Sequence, residues 1–160
     1  EYEGDYLHIN DTNFAGAKSN LYVQQEVELG IETGKDGATN SLTIKYKNPQ
    51  KTDGWLNGPF RDWFRVYVPK GSTLLDSSGS EVEIETKEDL GKTVFEGFFI
   101  LRPEGVHELK LKYKTPAAKK DGRYKLLIQK QPGTDGNHYT VRAGKDEQQF
   151  NLKVDKELSF

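Results

Sequence analysis

LYVQQEVELGIETGKDGATNSLTIKYKN, residues 21–48, decides the fold class. In its first half Leu21, Val23, Val27, Leu29 and Ile31 fall on one parity, and Gln25 is the only polar residue among them. Gln24, Glu26, Glu28 and Glu32 take the other parity. A period of two, apolar on one side and charged on the other, is the mark of a strand with one face in a core and one in water. GKDG, residues 34–37, then reads as a hairpin turn, because Asp-Gly supplies the positive φ angles of a tight turn. The alternation resumes with Leu42, Ile44 and Tyr46 inward, and Asn48-Pro49 ends it. Two half-buried strands joined by so short a turn predict an antiparallel sheet.

The same pattern repeats outward from this hairpin. A loop rich in Gly, Pro, Asn and Asp, NPQKTDGWLNGP, leads into RDWFRVYVP, a strand stopped by Pro69 and Gly71. In that strand Phe64, Val66 and Val68 are expected to face the core and Trp63, Arg65 and Tyr67 the other side, with Arg65 pairing Asp62 or Glu96. EVEIETK, KTVFEGFFILRP, VHELKLKYKTP, RYKLLIQKQPG, HYTVRAG and QQFNLKVD continue the series, with turn residues between them. Strands at spacings of roughly 8–12 residues predict an all-β protein, an antiparallel, immunoglobulin-like β-sandwich of about 8–9 strands. Helix has its best chance near Thr12–Asn20. Residues 1–20 are expected as a lead-in segment packed on the domain, and residues 21–160 as a single β-sandwich domain.

Composition bounds the function. A chain of 160 residues suits one domain with a real core. Its 23 basic and 25 acidic residues leave a net charge of −2, without the basic excess of a nucleic-acid binder. There is no cysteine, which excludes disulfides, cysteine-ligated metals and a cysteine nucleophile. There is no methionine either, so the chain is expected to be a processed piece, with any signal or anchor outside it. No apolar run approaches the roughly 20 residues of a spanning helix, and no membrane contact is expected from this piece.

Few patterns carry chemistry. The chain lacks a GxSxG elbow, and His8, His107 and His138 are scattered; His107 shares the parity of Leu109 and Leu111 and reads as a rim or core residue. Asn10, Asp11 and Asn13 offer hard oxygen ligands of the kind calcium takes, although the spacing is not that of an EF-hand loop. No other metal and no cofactor is implied. Lys45 or Lys47 with Asn151 is a conceivable isopeptide pair, disfavoured because both lysines lie opposite the apolar parity. Trp55 and Trp63 are the candidate ligand-binding residues. The Trp55 indole either stacks on a sugar or a partner protein or folds back to cap an open sandwich end.

Taken together, GDYLHINDTNFAGAKSNLYVQQEVEL, LTIKYKN, NGPFRDWFRVYVPKGSTLL, GKTVFEGFFILRPEGVHELKLKYKTP and YKLLIQKQPGTDG follow one another in an order and spacing that resembles the C-terminal region of the domain-of-unknown-function (4012) family of bacterial envelope proteins. The likeness runs from about Gly4 to Val141. It implies a membrane-anchored protein with its bulk outside the cytoplasm, and it supplies no catalytic residue. The expectation is therefore a non-catalytic extracellular β-sandwich module of a cell-surface protein, structural or adhesive, monomeric, with a cell-envelope glycan or protein as partner. The alternative is a carbohydrate-binding module or an accessory domain of an envelope enzyme.

Overall fold

The computed structural model describes residues 2–117 and 119–160. Its strands are β1 (Asp5–Asn13), β2 (Gln24–Gly34), β3 (Gly37–Lys47), β4 (Phe60–Pro69), β5 (Thr73–Ser78), β6 (Glu85–Asp89), β7 (Lys92–Leu101), β8 (Val106–Thr115), β9 (Lys125–Gln129), β10 (His138–Ala143), β11 (Asp146–Asn151) and β12 (Lys156–Ser159). They form two six-stranded sheets, in the orders β12-β9-β1-β4-β7-β6 and β11-β10-β2-β3-β8-β5. The fold is an all-β sandwich, as the alternation predicts.

The core lies between the sheets and follows the predicted parities. Val27, Leu29 and Ile31 of β2 and Leu42, Ile44 and Tyr46 of β3 are buried, and so are Phe64, Val66 and Val68 of β4. Opposite Phe64 in the ladder stands Gly97 of β7, where a Cβ would come 2.6 Å from the Phe64 ring. Glycine there lets a benzyl side chain lie across the neighbouring strand. Phe99 meets Tyr46, Phe60 and Phe64 in tilted ring contacts at 4.7–6.2 Å, which joins the two sheets through aromatic faces.

Several expectations change. The described residues form 12 strands rather than eight or nine, because β1 belongs to the sandwich and β5 and β12 are polar or short segments that show no apolar parity. β6 forms at Glu85–Asp89, later than the Val82–Ile84 alternation of EVEIETK, and is exposed throughout. Charged, short edges of this kind resist pairing with other chains. The sheets are not wholly antiparallel: β1 pairs with β9, and β10 with β2, in parallel. Residues 1–20 are more than a lead-in, since β1 is an interior strand with β9 on one side and β4 on the other. The segment around Thr12–Asn20 forms no α-helix; a short 3-10 turn covers Ser19–Leu21, and it carries Leu21 out of the β2 parity to 68% exposure. The turn at residues 34–37 closes on Lys35 and Asp36, and Gly34 pairs with Gly37. Gly37 has φ +143°, and a Cβ there would lie 2.2 Å from the Thr115 carbonyl oxygen. Glycine is needed at that position for its approach to β8 as well as for its φ.

Arg65 pairs with neither expected acid. Its Nη2 donates to Asn10 Oδ1 at 3.1 Å, while Glu96 is held by Lys87 and Asp62 faces the core. Lys45 pairs with Glu28 and is separated from Asn151 by two intervening strands, β2 and β10. At about 4.8 Å per strand spacing that removes any isopeptide bond between them.

The sandwich has two unlike poles. Asp5 pairs with Leu126 and Ser159 with Lys125, so the start of β1 and the end of β12 meet at one pole. The loops 14–23, 48–59 and 130–137 gather at the other.

Candidate functional site

The second pole holds a cleft of about 960 Å³ between the three loops. At its floor are polar residues that interrupt apolar parities. Asp11 follows Leu7 and Ile9 on the inner face of β1, Asp62 lies between Phe60 and Phe64 on that of β4, and Gln25 precedes Val27 on that of β2. Asn13 is the ladder partner of Asp62, and Phe64 that of Asp11, which makes the two aspartates diagonal neighbours on one face.

Asp11 is held from both sheets. Its Oδ1 accepts from the Tyr46 hydroxyl at 2.8 Å and its Oδ2 from Gln25 Nε2 at 2.8 Å. Its backbone N–H donates to Gln131 Oε1 at 3.0 Å, and its carbonyl accepts from Gln131 Nε2 at 2.9 Å. Asn137 donates to Gln25 and extends the chain of amides to the rim. Asp62, fully buried behind Asp11, has no partner for either oxygen among the described residues. Burial, and then the charge of Asp11, raises the Asp62 carboxyl far above the usual carboxylate range. Burial raises Asp11 as well, against the pull of its hydrogen bonds. Two carboxyls so placed disfavour double ionisation, because it would put like charges side by side with one of them fully buried.

The wall built from loop 48–59 is rigid for a different reason. Asn48 and Asn57 are buried and exchange side-chain hydrogen bonds at 2.7 and 3.3 Å. Asn57 Nδ2 also donates to the carbonyls of Gln50 and Lys51. The Ser19 hydroxyl donates to the Gly58 carbonyl at 2.8 Å and ties this wall to loop 14–23. On that frame Trp55 stands 74% exposed, so it does not fold back to cap the sandwich.

The predicted site residues are thus scattered. Trp55 is on the cleft pole, whereas Trp63 lies on the outer face of β4 and lines a separate shallow groove with Val82 and Ile84. Asn10, Asp11 and Asn13 do not converge. Asn10 points outward to Arg65, and Asn13 Oδ1 already accepts from the Ala15 and Arg61 amides. Among the described residues no cluster of three or more acidic, histidine or cysteine side chains is placed to hold a metal. His107 stacks on Phe99 at 4.2 Å and its Nε2 meets the Gly79 carbonyl at 2.7 Å, a packing role. Asp62, Gln25 and Tyr46 are the residues the sequence reading passed over. For Gln25 and Asp62 the signal was a polar side chain on an apolar parity.

No protein-family model and no curated protein matches the chain. Among solved structures it is similar to a candidate nutrient-binding protein of Legionella pneumophila, with TM-score 0.51 at 9% identity, over 88% of this chain and 54% of that one. An M1 zinc metallopeptidase of Deinococcus radiodurans aligns with TM-score 0.39 at 13% identity, over 86% of this chain and 38% of the enzyme. The first likeness is one of fold alone, and the second is too loose to carry an argument. This chain spans about half the length of the Legionella protein.

Proposed function

We propose that the chain is a non-catalytic β-sandwich module of a larger bacterial surface protein, working outside the cytoplasm as a monomer in an accessory, adhesive or structural role. One observation carries this: the buried acids are spent on holding strands and loops together. Both oxygens of Asp11 are taken by Tyr46 and Gln25, and Asp62 is shut away from any substrate. A general acid or base must reach the proton it moves, and neither carboxyl is free to do so. The resemblance to envelope proteins supports the location, and the charged outer faces suit a water-exposed unit. The test is an assay of the purified chain on chromogenic esters, glycosides and peptides, beside its sedimentation with isolated bacterial cell walls. The expected result is no turnover with saturable retention on the walls. Turnover abolished by Asp11→Asn in a protein of unchanged melting temperature would overturn the reading.

A carbohydrate-binding role is the second reading, favoured by the exposure of Trp55 on a loop fixed by the Asn48–Asn57 pair. An indole presented on a rigid loop suits stacking on a sugar ring. Trp55→Ala is expected to weaken wall retention and Trp63→Ala to leave it unchanged.

A further inference from the structure

We infer that the cleft at the Asp11 pole is a binding site for a neutral oligosaccharide, an assignment that rests on the carbohydrate-binding reading and gives it a location and a ligand chemistry. Three properties of the cleft support it. The first is size: about 960 Å³ is at the upper end of small-molecule sites and has room for several sugar rings.

The second is charge. The protein carries 23 lysines and arginines, yet none of them lines the cleft. A site for phosphate, sulfate or a uronic acid recruits such cations, arginine above all. Their absence from so large a concavity of a lysine-rich chain disfavours anionic ligands. Two acids line the cleft, Asp11 and Asp135; Asp11 is already hydrogen-bonded to Tyr46 and Gln25, and a single exposed carboxylate on the 130–137 loop does not make a cation site.

The third is the donor and acceptor set. Asn20, Gln24 and Gln50 line the walls, beside Gln131 and Asn137, whose amides are engaged with Asp11 and Gln25. A side-chain amide both donates and accepts, as does a sugar hydroxyl, so the two match without a net charge. Tyr22, half-buried, adds aromatic surface for the apolar face of a ring. A peptide laid along a sheet would instead need a free strand edge for main-chain pairing, whereas this cleft opens between loops, with β1 and β2 each paired on both sides. The pole also lies away from the start of β1 and the end of β12, which leaves its mouth clear of both.

The proposal is tested by isothermal titration of the whole chain with neutral hexasaccharides of β-1,4-linked N-acetylglucosamine, β-1,4-linked glucose and α-1,4-linked glucose, with a hexagalacturonate as the anionic comparator. At least one neutral hexasaccharide is expected to bind with a dissociation constant of roughly 10–500 µM, about twofold to 100-fold below a 1 mM limit, and to bind more tightly than the hexagalacturonate. Asn20 and Gln50 are exposed and their side chains make no hydrogen bond among the described residues. The double variant Asn20→Ala/Gln50→Ala is therefore expected to keep its melting temperature and lose about tenfold or more in affinity. Tyr22→Ala is expected to act in the same direction. Binding that survives both variants, tighter binding of the hexagalacturonate, or no neutral binding by 1 mM would overturn the assignment. Wall retention that persists without any neutral-sugar binding would overturn the glycan cleft while leaving the module reading in place. Loss of wall retention in all forms of the protein would instead count against the module reading itself.

Discussion

β1 carries an inward-facing aspartate near each of its ends, Asp5 buried and Asp11 half-buried, and the two are treated in opposite ways. Asp5 is fully enclosed and fully satisfied: its Oδ2 accepts from the Tyr124 hydroxyl at 2.5 Å and Asn40 Nδ2 at 2.7 Å, and its Oδ1 from the Tyr6 amide at 2.8 Å. Asn40 also donates to the Tyr113 hydroxyl, so the knot draws in β1, β3, β8 and the approach to β9. Asp11 is bonded just as well, but its neighbour Asp62 is left with two orphaned oxygens. The lesson is that a polar tie between sheets need not cost more than it contributes, whereas a second acid beside it does. In the Asp5 knot both carboxylate oxygens are paired, which rigidifies a core, and the atom left without a partner there is the neutral Asn40 Oδ1. An orphaned carboxyl is retained at the expense of stability, and here it lies under the cleft.

The largest test of this contrast is Asp5→Ala. It leaves the Tyr124 hydroxyl, the Asn40 amide and the Tyr6 N–H without their acceptor, and it is expected to cost about 3–5 kcal/mol in denaturant melts. A loss under 1 kcal/mol would erase the distinction between the poles.

Asp62→Asn is expected to do the reverse and stabilise the protein by about 1–3 kcal/mol at pH 8, because the introduced amide donates to Asp11 and carries no charge. The pH dependence gives the sign independently. A carboxyl raised on folding binds its proton in the folded state at pH values where the unfolded chain has released it. Stability from this group is therefore complete below the ordinary carboxylate pKa near 4 and falls as pH rises toward about 10, the value to which Asp62 is pushed. Asp5 is also raised by burial and adds a slope of the same sign. The readout is the difference between the two stability–pH curves, which should widen from pH 4 upward. Parallel curves would show that Asp62 is not the proton acceptor.

A smaller effect separates the hydroxyls. Tyr124→Phe is expected to cost about 2 kcal/mol and Tyr46→Phe about 1 kcal/mol, since the Asp5 knot is sealed and Asp11 faces a cleft that admits water. An inverted order would mean that the cleft floor is the drier of the two. The smallest expected change is Trp55→Ala, within about 0.5 kcal/mol because the indole is exposed. A loss above 1.5 kcal/mol would return Trp55 to a packing role.

Much of the fold was legible because the core strands obey a period of two. The residues from Val27 to Tyr46 predict their own burial, and so do Phe64, Val66 and Val68. The edge strands were less legible: β5, TLLDSS, and β12, KELS, have no apolar parity to read, and β6 forms at the polar ETKED beside β7 rather than over Val82 and Ile84. The start of the domain was misplaced because nothing local in DYLHIN says that a strand distant in sequence, β9, will lie beside it in parallel. Non-local pairing of that kind is written in the topology rather than in either segment.

The site was half visible for a related reason. A single polar residue on an apolar parity, such as Gln25 or Asp62, announces a buried polar contact but not its partner. Asn137 and Gln131 come from a loop more than a hundred residues away from Gln25 and Asp11, and no spacing rule links them. Trp55 was the opposite case. Its loop was evident from composition, but its exposure depended on the buried Asn48–Asn57 pair, which reads in sequence as ordinary loop chemistry.

The meeting of β1's start and β12's end at one pole has a mechanical consequence. The two strands flank β9, and tension drawn through them enters and leaves at the same place. β12 is short and antiparallel to β9, with its last residue at that pole, so a pull there opens its bridges one after another from Ser159 to Lys156. Shear, in which all the bonds of a strand share the load, is not available in this geometry. Load applied at that pole peels β12 first, while the cleft lies at the far end of the body from the point of pull.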